Sequence, residues 1–259
     1  MIETYSFEAG ETPLLVSIPH DGRQLPGEVA GSMTAAGRAI PDTDWHVRRL
    51  YDFVTDLGAS LICAEYSRYL VDLNRPADDT ALYAGRFGTG LCPTRTFAGD
   101  DIYGDETGID VGARVRQYWQ PYHDRIAATL VSLREQHGYA LLWDAHSIPS
   151  RVPALFAGEL PELNLGTWDG RSCHADLSGR VVAAARSSAY SSVVDGRFKG
   201  GYITRHYGRP EQNVHAIQLE LSQRSYMDEL SLKYDSGKAA RLRDTLRDLL
   251  ETFLVAASQ

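Results

Sequence analysis

Short apolar runs separated by amphipathic stretches constrain this chain more than any other feature. Leu14-Leu15-Val16-Ser17-Ile18 reads as a strand stopped by Pro19, residues 59–64 as a second, and LLWDAHS, residues 141–147, as a buried third. Between them Val47, Leu50, Tyr51, Val54 and Leu57 recur at helical spacing up to Gly58. Val115, Tyr118, Trp119, Tyr122, Ile126, Leu130 and Leu133 stripe a long helix, expected to kink at Pro121 and to end at Gly138. Leu163 and Leu165 indicate a strand, Val181, Val182 and Ala185 a helix, residues 216–221 a strand, and Leu242, Leu246, Leu249, Leu250 and Phe253 a C-terminal helix. Strands alternating with helices, without repeat or linker, describe a single α/β domain over residues 1–259. The stretches 76–108 and 195–213, rich in Gly, Pro and polar residues, read as long surface loops, and loops of that length are usually functional or disordered.

Charge narrows the partners. A formal net charge of −8 argues against nucleic acid or an anionic membrane, since both select a basic face, so an anionic substrate needs a local pocket of Arg or Lys. MIETYSFEAGETP has no apolar core of signal-peptide length, and no stretch approaches ~18 apolar residues, so a cytoplasmic protein is expected. Cys63, Cys92 and Cys173 are odd in number and form no CxxC pair, which fits a reducing compartment and argues against a thiolate zinc site.

Polar residues gain weight at strand ends, because ligands of open α/β sheets gather beyond the carboxyl ends of strands. In IPHDG, residues 18–22, Pro19 and Gly22 bracket a turn expected to expose His20 and Asp21. PDTDWHV, residues 41–47, sets two aspartates before a helix; Asp42 or Asp44 can cap it, but one cap does not need two acids, and His46 reads as a surface histidine in the first helical turn. In LVDLNRP, residues 70–76, an alternating strand runs into Asn74-Arg75 and is halted by Pro76. Arg75 offers a planar fork for a carboxylate, or else an ion pair with Asp72 or Asp78.

Alternation in LLWDAHS puts Leu142, Asp144 and His146 on one face. Buried polar groups need partners: a metal would satisfy the imidazole with the carboxylate behind it, and a simple Asp–His hydrogen bond is the alternative. In VHAIQLELSQ, residues 214–223, Glu220 shares a face with Gln218 and Ser222 inside an apolar strand, which makes it a candidate general base. RFKGGYITRHYG, residues 197–208, is a cationic loop suited to an anionic ligand.

Two histidines and an aspartate from separate strand ends, a strand glutamate and an Asn-Arg pair describe a mononuclear zinc hydrolase. The order IPHDG, DTDWHV, DLNRP, DAHS, GGYITRHYG and QLELSQ resembles N-formylglutamate amidohydrolases along nearly the whole chain. That family is similar to the zinc carboxypeptidases. The resemblance implies a three-layer α/β/α sandwich with a mixed, mostly parallel sheet, zinc-exopeptidase-like (phosphorylase/hydrolase-like). It also implies zinc-dependent hydrolysis of N-formyl-L-glutamate to L-glutamate and formate, the final step of one bacterial route of histidine degradation.

Residue by residue, the likeness makes His20, Asp44 and His146 ligands of one Zn2+, another divalent transition metal being the alternative. Carboxypeptidases carry their first two ligands as His-x-x-Glu, whereas over twenty residues separate them here, so Asp42 and Asp21 stay open as the acidic ligand. Asn74-Arg75 is similar to the pair that holds the substrate's α-carboxylate, and Glu220 to the glutamate that works with the zinc-bound water. Asp144 would orient a ligand or position water, and the γ-carboxylate would fall to Lys199 or Arg205. A small anionic substrate is the expected partner of a monomer or small homo-oligomer. The rival readings are an amidohydrolase for another N-acyl amino acid, such as N-formyl- or N-acetylaspartate, and a non-catalytic binder of an acidic metabolite.

Overall fold

The computed structural model describes residues 3–82, 88–104 and 108–257. Its strands are β1 Tyr5–Glu8, β2 Leu14–Ile18, β3 Ser60–Ala64, β4 Ala140–Ile148, β5 Leu163–Gly166, β6 Ser192–Val194 and β7 Val214–Ser222. They form one seven-stranded sheet in the order β1-β3-β2-β4-β7-β5-β6. β3, β2, β4 and β7 run parallel, while β1 and β5 run against β3 and β7 respectively and β6 is parallel to β5. The parallel strands β2, β4 and β7 are buried along their whole length, as their near-continuous apolar sequences require.

The helices are α1 Gly27–Ser32, α2 Ala35–Arg38, α3 Val47–Leu50, α4 Val111–Arg114, α5 Gln120–His137, α6 Ala175–Ser187, α7 Tyr202–Tyr207 and α8 Ser236–Ala257. Val16, Trp143 and Leu219 point from one face of the sheet into a core shared with α3, α6 and α8. Leu15, Leu142 and Ala216 point from the other into a core shared with α5 and α7. The result is the expected three-layer α/β/α sandwich with a mixed sheet.

Several local expectations give way to tertiary demands. The helix expected over 47–57 is α3 followed by a 3₁₀ turn, Asp52–Leu57, ended by Gly58 at φ 66°. His46 precedes α3 at φ 65° and bonds the Leu232 carbonyl through Nε2 at 2.9 Å, so it is a left-handed cap and not a first-turn residue. His20 and Asp21 are buried instead of exposed. Stretch 70–76 is no strand: Asp72 Oδ1 accepts the Asn74 N–H at 2.8 Å and the Asp72 carbonyl accepts the Arg75 N–H at 3.2 Å, closing a turn that competes with any ladder. Stretch 195–213 contains α7, and of stretch 76–108 residues 83–87 and 105–107 lie outside the described residues.

At Pro121 the expected kink takes the form of a π turn, Val115–Trp119, just ahead of α5. Proline cannot donate to a carbonyl one turn back, so the helix widens there. The turn aims Trp119 at the Asn74-Arg75 segment: its Nε1 donates to the Arg75 carbonyl at 2.9 Å and its ring stacks on His123 at 3.8 Å. His123, 3% exposed, donates from Nε2 to the Leu73 carbonyl at 2.9 Å and faces the Tyr207 hydroxyl with Nδ1 at 3.0 Å. Thus α5 and α7 together hold the turn that carries Asn74.

Burial pushes the His123 pKa from 6.5 down to about 3. The unfolded chain therefore takes up a proton below pH 6.5 that the folded chain refuses until about pH 3, and stability falls with pH across that window by about 1.4 kcal/mol per unit. His123→Gln should be less stable at pH 7 yet decline more shallowly toward pH 4. Urea midpoints at intervals across that range check this, and parallel declines for the two proteins would refute it.

Candidate metal centre

Because β2, β4 and β7 are parallel neighbours, their carboxyl ends open on one side of the sheet. Register then sets the chemistry: His146 pairs with Glu220, and Ser17 with Asp144. Period-2 alternation turns Asp144, His146, Gln218 and Glu220 to the same face. His20 follows Pro19 just beyond β2. Asp44 is tied to it by a backbone bond from the Asp44 N–H to the His20 carbonyl at 3.0 Å.

Asp44 Oδ2 lies 3.1 Å from His146 Nδ1 and 3.8 Å from His20 Nδ1. One ligand atom from each of the three residues falls within 4.8 Å of the others, and all three residues are buried. Behind each ring stands another buried acid: His20 Nε2 is 2.8 Å from Asp72 Oδ1, and His146 Nε2 is 3.1 Å from Asp144 Oδ1. A carboxylate behind an imidazole fixes its tautomer and orientation for a metal. Asp144 Oδ1 is buried without a hydrogen-bond partner. A proton on His146 Nε2 is what that oxygen calls for, and it would leave Nδ1 free to ligate. Two imidazoles and a carboxylate converging this way fit a divalent transition ion with a coordination position left for water.

The other two aspartates are engaged elsewhere. Asp42 Oδ2 accepts the Tyr69 hydroxyl at 2.6 Å and the Phe97 N–H at 2.8 Å. Asp21 accepts the Arg48 N–H at 2.8 Å and Arg23 Nη2 at 2.9 Å. Of the three, Asp44 is the one that faces both rings.

The electrostatics favour a cation at this spot. Burial opposes charge on His146, but Asp144 and Asp44 raise its pKa well above 6.5, so the local field draws positive charge to the ring. The His20 pKa is drawn below its ordinary 6.5, since burial and the charge of Arg68 outweigh the pull of Asp72 and Asp44. Burial works against ionising Asp44 too, yet the His146 hydrogen bond and the charges of His20, His146 and Arg68 hold it below the ordinary carboxylate value. Glu220, 7% exposed, is pushed up to about 8 by burial.

A cavity opens on this centre. His20, His146, Gln218 and Glu220 line it, with Asn74, the three arginines Arg68, Arg75 and Arg197, and apolar walls from Phe97, Ile148, Leu155 and Phe198. Arg75 is anchored by neutral oxygens, the Thr89 and Asn74 carbonyls and the Thr89 hydroxyl, and the ion pair considered with Asp72 or Asp78 is not formed. Lys199 and Arg205 do not line the cavity: Lys199 Nζ pairs with Asp169 at 2.7 Å, and Arg205 donates to the Gly200 and Leu82 carbonyls. From sequence, Arg68, Asp72 and Gln218 had no role in the site, and Arg197 only a place in the cationic loop. For Arg68 the i,i+4 spacing to Asp72 was a readable signal, and for Gln218 the face it shares with Glu220.

Comparison with known proteins places this geometry among relatives. The profile of the family described as N-formylglutamate amidohydrolase matches residues 12–227. An N-formylglutamate deformylase of Pseudomonas aeruginosa is 50% identical over 98% of this chain and 97% of its own length. Another, from Pseudomonas putida, is 47% identical over the same shares. Among solved structures, an N-formylglutamate amidohydrolase from Ralstonia eutropha JMP134 superposes with a TM-score of 0.84 at 25% identity, covering 98% of this chain and 97% of that one. A gene product of Agrobacterium tumefaciens shares the fold, with a TM-score of 0.77 at 16% identity over 99% and 97% of the two chains.

After dialysis, the protein should retain about one divalent metal per chain, as three convergent buried protein ligands predict. Asp44→Asn and His146→Ala should lose it, whereas Asp42→Asn should keep it despite a lower melting temperature. Elemental analysis of the three variants decides the matter, and metal retained by Asp44→Asn would remove that residue from the ligand set.

Proposed function

Because the chain belongs to the N-formylglutamate amidohydrolase family, we propose that it hydrolyses N-formyl-L-glutamate to L-glutamate and formate, with one zinc ion held by His20, Asp44 and His146. The observation that carries this reading is the buried Glu220 carboxylate, in register with His146 on one cavity wall. A simple metabolite binder has no use for such a group.

Zinc bound there would polarise the formyl oxygen and make a water more acidic. Glu220 accepts that water's proton as the oxygen attacks the formyl carbon. It then returns the proton to the departing amine, serving as base and afterwards as acid. Its raised pKa lets it keep the proton between the two steps. Arg68, 3.7 Å from Asp44 Oδ1, is a lining cation beside the ligands and offsets negative charge developing on the formyl oxygen. Asp144 and Asp72 hold the two imidazoles in orientation.

Two substrate carboxylates call for two guanidinium groups. The Asn74-Arg75 turn takes the α-carboxylate. Arg197, whose Nε is anchored on the Leu155 carbonyl, takes the γ-carboxylate in place of Lys199 and Arg205. The reaction then stands as the last step of a bacterial route of histidine degradation, carried out in the cytoplasm by a monomer or small homo-oligomer. The free thiols of Cys63, Cys92 and Cys173 suit that compartment, and no helix among the described residues is long and apolar enough to cross a membrane.

Formate release from N-formylglutamate, N-acetylglutamate and N-formylaspartate, assayed with the zinc-loaded protein before and after chelation, tests the reading. N-formylglutamate should be turned over best and chelation should abolish the activity; no turnover of any of the three would end the proposal. Glu220→Gln should keep its zinc and lose roughly 10²- to 10⁴-fold in kcat. Arg197→Met should lose at least about 10-fold in kcat/KM on N-formylglutamate but little on N-formylglutamine. Equal losses on both substrates would remove Arg197 from γ-carboxylate recognition.

A further inference from the structure

Gln218 lies two residues before Glu220 on the same face of β7, 4% exposed, in the wall of the cavity. A buried primary amide must place both its oxygen and its NH2 group. Its Oε1 accepts the Gly201 N–H at 2.6 Å, which fixes the amide's orientation, and its Nε2 consequently donates to Glu220 Oε2 at 3.2 Å. Among the described residues this is the one hydrogen bond given to the Glu220 carboxylate.

Gly201 is itself immobilised from the opposite side. A Cβ at that position would come within 2.3 Å of Asn74 Nδ2, so the backbone packs directly on the Asn74 amide. Asn74 Oδ1 accepts the Ile203 N–H at 2.8 Å while its Nδ2 donates to Asp144 Oδ2 at 3.4 Å. The turn that opens α7 is thus pinned at one end to the carboxylate behind His146 and at the other, through Gln218, to the proposed base.

We propose that Gln218 is a positioning residue for the hydrolysis, holding the Glu220 carboxylate at a fixed angle to the centre by bridging it to the Gly201 backbone; this rests on the functional reading above. Without the bridge the carboxylate can rotate about its last side-chain bond, so fewer bound complexes place an oxygen against the attacking water. A misplacement of this kind lowers kcat and leaves substrate binding nearly intact.

The test is a double-mutant cycle on the zinc-loaded full chain, reading formate release from N-formylglutamate together with zinc content and melting temperature. Gln218→Met is close to the native shape and removes both hydrogen bonds. Gln218→Asn, one methylene short, serves if the first variant fails to fold. In the native background either change should lower kcat at least about 10-fold with KM within about 3-fold and zinc content unchanged. In a Glu220→Ala background the same change should cost less than about 2-fold, because a residue that acts through Glu220 has nothing left to position. Equal losses in the two backgrounds, or a rise in KM at constant kcat, would overturn the proposal, the latter pointing to the wall formed by Arg197 and Phe198. A native protein that releases no formate would instead overturn the functional reading, and this inference with it.

Discussion

The site hangs on Asp72, a carboxylate with no exposed surface. Taking such a charge out of water is costly unless every lone pair finds a partner. Asp72 finds His20 Nε2 at 2.8 Å, Arg68 Nη2 at 2.7 Å and the Asn74 N–H at 2.8 Å. Burial opposes its ionisation, but the charges of Arg68, His20 and Arg75 hold its pKa well below the usual carboxylate range. One anion therefore orients a metal-facing imidazole, fixes a cavity arginine and folds the turn that presents Asn74 and Arg75. Removing it would leave Arg68 buried with Asp44 as its remaining close acid.

The parallel arrangement of β2, β4 and β7 supplies the rest. Polar residues beyond or at the ends of three neighbouring apolar strands meet because the strands share a direction, and the chain's acidity does not prevent a cationic pocket, since Arg68, Arg75 and Arg197 are brought together from two separate loops. The net charge of −8 describes the surface average, whereas a substrate meets the local field.

How much of this was legible depended on the range of the forces involved. Strand alternation is local, so the common face of Asp144 and His146, and the placement of Glu220, could be read directly. The choice among Asp21, Asp42 and Asp44 could not, because it is made by Arg48, Tyr69 and Phe97, partners far away in sequence. Residues 70–76 misled for a related reason. Their alternation imitates a strand, but Asp72 spends its side chain on its own backbone and the helix ahead of α5 supplies Trp119 to cap the segment. In the basic loop, composition pointed to an anion site, yet only packing could tell Arg197, which lines the cavity, from Lys199, which pairs with Asp169.

The three metal-facing residues come from widely spaced parts of the chain, with Asp44 and His146 alone 102 residues apart. In a small zinc module the ion can organise its own short loop; here the ring nitrogens and carboxylate meet only after β2 and β4 have paired over a long loop, with its attendant closure entropy. A metal bound there would therefore join a framework that is already folded, and its affinity would measure how well that framework holds its shape.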